Sequence, residues 1–86
     1  MIIKKELLCR EIAGERFLVP VGKTIYDSNG LFILTEMGTF IWDLLPSVEN
    51  ADQIITAVLN EYDVDEATAT ADVTAFLHKL GEMGIL

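Results

Sequence analysis

The side chains able to do covalent or acid–base chemistry in these 86 residues are few: one histidine, His78, one cysteine, Cys9, and a run of acids at Glu61, Asp63, Asp65 and Glu66. Catalysis needs such groups to converge on one reacting atom. His78 falls opposite Val73 and Leu80 on a helical projection, which turns it toward solvent with no evident partner. Cys9 lies in a β-favouring run, where a small half-buried hydrophobe is its reading, and its neighbour Arg10 would point to the opposite face. The acids lack the ligand spacing and central glycine of a calcium loop and read as helix caps and solvated charge.

Asp27-Ser28-Asn29 has the Asp-Ser pair of a carrier-protein attachment site, but the serine precedes a strand instead of opening a helix, and the residue after it does not match. No glycine-rich phosphate loop occurs. Trp42 falls off the centre of its helix's apolar stripe, which reads as partly buried packing, with an interface anchor as the alternative. No catalytic residue and no metal site is expected, so the chain is read as no enzyme.

The composition, 51% hydrophobic and 23% charged, is that of an ordinary globular chain, and its length suits one domain over residues 1–86. The longest apolar runs fall far short of a membrane span, no signal-peptide core follows Lys4 and Lys5, and one cysteine cannot form an internal disulfide. A cytoplasmic protein with no membrane attachment is expected. Residues 1–48 carry five basic and six acidic side chains, and residues 49–86 carry one and eight. Nucleic acid, which demands clustered Lys and Arg, is a poor partner for such a chain.

The elements that must position any site follow from periodicity. Leu7-Leu8-Cys9-Arg10-Glu11-Ile12 and Arg16-Phe17-Leu18-Val19-Pro20-Val21, joined through Ala13-Gly14-Glu15, read as a hairpin. Asn29-Gly30 suits a tight turn into a third strand, Leu31-Phe32-Ile33-Leu34. Thr35 is placed to cap a helix with the stripe Met37, Phe40, Ile41, Leu44 and Leu45, which Pro46 ends. Asn50 and Gln53 have the form of a capping box before Ile54, Ile55, Val58, Leu59 and Tyr62. Asp65 caps a third helix with the stripe Ala69, Val73, Phe76, Leu77 and Leu80, and Gly84 stops it. The expected fold is α+β, three antiparallel strands followed by three helices packed on one face of the sheet.

Such a sheet keeps two edges with unpaired backbone groups, and an extended peptide can add itself to one. The third strand carries no lysine, proline or inward charge of the kind that guards an edge; its other reading is a central strand.

The sequence resembles the PqqD family of leader-binding domains from ribosomal peptide pathways over nearly its full length. The matching features are Val19-Pro20-Val21-Gly22, Asn29-Gly30, the run Leu34-Thr35-Glu36-Met37-Gly38-Thr39-Phe40-Ile41-Trp42-Asp43-Leu44-Leu45, Tyr62-Asp63-Val64, Asp72-Val73, Phe76-Leu77, Leu80 and Gly84-Ile85-Leu86. Thr35 departs from the family's frequent asparagine, though either residue caps a helix. The resemblance implies a winged-helix-like fold and a non-catalytic peptide chaperone. A precursor's leader would pair with the third strand beside the third helix, and the chain would present it to a modifying enzyme, commonly a radical S-adenosylmethionine maturase that holds any iron–sulfur cluster. The chain itself would need no cofactor.

Carried onto this sequence, Leu31, Phe32, Ile33 and Leu34 would offer backbone pairing, and one flank of the third helix would line the groove. Helical phase puts Asp72, Phe76 and Lys79 on one flank of Val73, and Thr70, Thr74 and Leu77 on the other. The first flank, together with Val73 which it borders, is chosen as peptide-binding, since a Phe beside opposite charges could both bury and orient a peptide. Two other functions compete. A winged-helix DNA-binding regulator would need a basic third helix, whereas Asp65, Glu66, Asp72 and Glu82 stand there against Lys79. A structural dimerisation module would use the same strand for self-pairing. The oligomeric state, the precursor and the maturase are not legible in the sequence.

Overall fold

The computed structural model describes residues 1–22 and 32–86. Strands β1 (Leu7–Ile12), β2 (Glu15–Pro20) and β3 (Phe32–Leu34) precede helices α1 (Glu36–Leu44), α2 (Ala51–Glu61) and α3 (Glu66–Glu82). This is the expected α+β order. Leu31 and Asn29-Gly30 lie outside the described residues.

A two-residue turn closes the first hairpin, with Ala13 and Gly14 both at positive φ (53° and 83°), so Ile12 pairs directly with Glu15. Such turns match the twist of the strands they join. The sheet is antiparallel with order β1-β2-β3. Strand alternation sorts its side chains: Leu18 and Leu34 are buried, and Leu7, Cys9 and Phe32 pack against the same core. The opposite face shows Leu8, Ile12 and Ile33 to solvent. Arg10, paired with Phe17, stands on that exposed face, away from Cys9.

Each helix begins where its cap was legible. The Thr35 hydroxyl accepts from the Gly38 amide at 3.0 Å, and Asn50 accepts from Gln53 at 3.0 Å. Gln53 reaches back one residue further than a capping box requires, accepting from the Glu49 amide at 2.6 Å. Pro46 ends α1 as an α-helix, but the chain runs on through a 3-10 turn, Leu45–Ser47, with the proline inside it. A proline in a first turn loses no hydrogen bond, so this continuation is inexpensive.

The end of α3 is fixed by two bonds, Gly84 N–H to the Gly81 carbonyl and Ile85 N–H to the Leu80 carbonyl. With Gly84 at φ 72° this is a Schellman stop, and it turns Ile85 into the core beside Leu80. The core joins Leu18 and Leu34 to Ile41, Trp42 and Leu45, to Ile54 and Val58, and to Ala69, Val73 and Leu80. Trp42 is thus a core residue, 9% exposed, and the interface-anchor alternative is overturned. At the far side, Phe40 meets Tyr62 edge-on, 5.5 Å between ring centres, tying α1 to the end of α2.

Candidate functional site: a sheet edge beside a groove

β3 stands at the edge of the sheet, with β2 its pairing partner through Arg16↔Leu34, Phe17↔Ile33 and Leu18↔Phe32. The central-strand reading is therefore set aside. In an antiparallel ladder alternate residues turn their N–H and C=O groups away from the paired neighbour, so the outer side of β3 presents backbone donors and acceptors. Among the described residues no strand takes them up.

Beside this edge lies a groove of about 450 Å³, walled by Phe32 and Thr35, floored by Met37, Gly38 and Ile41 of α1, and closed by Asp72, Ala75, Phe76 and Lys79 of α3. The Phe32 and Phe76 rings stand 6.2 Å apart at 56°, giving the groove an aromatic lining. Gly38 sets its depth: a Cβ there would stand 3.3 Å from the Phe76 ring and 3.2 Å from the Thr35 hydroxyl. The absent side chain lets α3 bring its phenylalanine onto α1. Asp72 and Lys79 are exposed at the rim.

The eight residues singled out from sequence thus separate by position. Phe32, Asp72, Phe76 and Lys79 are brought together around the groove. Leu34 is 5% exposed, with its side chain in the core, so only its backbone is offered to a peptide, and Val73 is fully buried and serves a peptide only by holding α3 in place. Ile33 points to the outer face, 62% exposed. Leu31 is outside the described residues. Thr70 and Thr74, the other flank, border a shallow depression on the outer side of α3 with Ala67, Ala71 and His78, and no strand residue lines it. Missed in the sequence were the walls from α1, Met37, Gly38 and Ile41. Gly38 offered a signal, a glycine inside a helical stripe, which at such a position marks close packing.

Two of the groups weighed for chemistry are engaged elsewhere, and Asp27-Ser28-Asn29 lies outside the described residues. His78 Nε2 stands 2.8 Å from Glu82, one turn on, a surface partner that the sequence reading did not assign. Asp65 accepts from the Thr68 amide at 2.9 Å; hydrogen bonding from the Thr68 side chain, then from its backbone, holds this carboxyl below the usual range. Among the described residues no group of three or more His, Cys, Asp or Glu side chains is placed to hold a metal, and no helix is long and apolar enough to cross a membrane.

Among the described residues the site thus combines an open strand edge with an aromatic groove and brings no cluster of metal-ligating side chains together. No curated protein matches this sequence. A solved structure described as TbiB1 in complex with the TbiA(beta) leader peptide is similar to it, with a TM-score of 0.75 at 29% identity, covering 100% of this chain and 94% of that one. The family model described as coenzyme PQQ synthesis protein D matches residues 15–86. The chain belongs to the PqqD family.

Proposed function

We propose that this protein is a non-catalytic peptide chaperone of ribosomal peptide maturation. The leader of a precursor peptide adds itself as a strand to β3 and lays alternate side chains into the groove between β3 and α3. The observation that carries this reading is the juxtaposition of an edge strand, Phe32–Leu34, with the groove of Phe32, Phe76, Asp72 and Lys79. Main-chain pairing supplies affinity and the groove supplies selectivity. The similar structure is itself a leader-peptide complex, which supports the same ligand class here. The chain then hands its peptide to a modifying enzyme, in keeping with the family a radical S-adenosylmethionine maturase, in the cytoplasm.

Amide chemical shifts test this directly. Titrating a synthetic leader peptide of a candidate precursor should move Phe32 to Leu34 and the α3 amides around Asp72 and Phe76, at a 1:1 endpoint. Trp42 is too deep in the core to report on the groove, so its emission is a poor substitute. Shifts confined to the outer side of α3 around Thr70 and Thr74, or none at all, would remove the assignment.

A further inference from the structure

We propose, resting on the peptide-binding reading, that Asp72 and Lys79 read the order of charges along the bound peptide. The groove then takes an extended segment bearing a basic, an apolar and an acidic side chain at alternate positions.

Asp72 and Lys79 share one flank of α3 with Phe76 between them. At about 1.5 Å rise per residue, the carboxylate's backbone lies about 6 Å before Phe76 and the ammonium's about 4.5 Å beyond it. Side chains on one face of an extended peptide repeat about every 6.8 Å, two residues at about 3.4 Å each. A peptide that runs along α3 with a side chain seated between Phe32 and Phe76 therefore presents the residues two before and two after it to Asp72 and Lys79, and the long lysine stem makes up the shorter step. Both charges are exposed, and the polar side-chain pairs found among the described residues, the Arg16 guanidinium with Glu11 and the His78 imidazole with Glu82, involve neither.

The surrounding charge makes Lys79 the more discriminating of the two. It is the one basic residue in positions 49–86, against eight acids. A peptide carboxylate meets attraction at that point and repulsion along the rest of the helical half. Because the two charges stand at opposite ends of one aromatic pocket, a peptide and its charge-reversed isomer are not equivalent ligands.

The test uses two synthetic 15-residue peptides of identical composition, one centred on Lys-Thr-Leu-Thr-Glu and one on Glu-Thr-Leu-Thr-Lys, titrated against the full chain in low salt. One order should bind about tenfold more tightly, since each exposed pair is worth a few-fold, and the difference should shrink to about twofold in 0.5 M salt. The double variant Asp72→Lys with Lys79→Glu should invert the preference, while Thr74→Glu on the other flank should leave it; circular dichroism confirms that each variant folds. Equal binding of both orders, or a preference that survives the double reversal, overturns the charge reading and leaves peptide binding standing. Failure of both isomers and of the native leader to bind overturns the peptide-binding reading and this one with it.

Discussion

Val73 and Phe76 stand less than one turn apart on α3, yet one is sealed in the core and the other faces the groove beside Phe32. Truncation separates the two roles. Val73→Ala leaves a cavity in the core to which Ile41, Ala69 and Leu80 also belong and should cost about 2–3 kcal/mol in urea unfolding, with the folded molecule's peptide affinity unchanged. Phe76→Ala removes a half-buried ring and should cost less, about 1–2 kcal/mol, while weakening the leader about tenfold by calorimetry. A Val73 variant that binds as poorly as the Phe76 variant would show that the groove is deeper than its walls indicate. At this scale the sequence was legible where helical phase decides the answer: His78 outward, Val73 and Leu80 inward. For Trp42 it gave packing but left the anchor alternative open, because phase places a residue on a rim and cannot say which neighbouring element covers that rim.

Caps were the most legible features of the elements, because each is a local hydrogen bond between residues three apart, Thr35 with Gly38, Asn50 with Gln53 and Asp65 with Thr68. The edge position of β3 and the flank of α3 beside it were not legible, since three consecutive apolar residues carry no strand order and both flanks border the same buried stripe. Asp65 makes its element's stability pH-dependent. Its carboxyl is held below the range near 3.9 that an unfolded chain shows, so the stabilisation is present above that value and is lost as pH falls through the lower, folded one. Asparagine accepts the same bond from Thr68 without titrating. Asp65→Asn should therefore melt close to the parent at pH 7, and from about pH 4 downward it should lose less melting temperature than the parent does. Melting curves that stay parallel from pH 7 to pH 3 would mean that the cap does not hold α3 in place.

The core links the sheet to all three helices and to Ile85 beyond α3, so ligand energy delivered at one edge has to be repaid by the whole molecule on unfolding. Protection against exchange should nevertheless be uneven. β1 forms the other edge of the sheet and contributes no fully buried side chain, whereas β2 and β3 supply Leu18 and Leu34. A peptide added at β3 closes that edge and leaves β1 as it was. With leader at about 100 times its dissociation constant, linkage adds about 2.7 kcal/mol to the unfolding free energy. For a chain of this size that amounts to roughly 10–20 °C in melting temperature. Hydrogen exchange followed on the same sample should show the outer amides of β3 slowed well beyond those of β1, which open locally at their own edge in both states. The two readouts together locate the site. A raised melting temperature with equal protection of both edges would place the peptide elsewhere on the core, whereas slowed exchange at β3 with the predicted rise in melting temperature requires a strand laid along Phe32–Leu34.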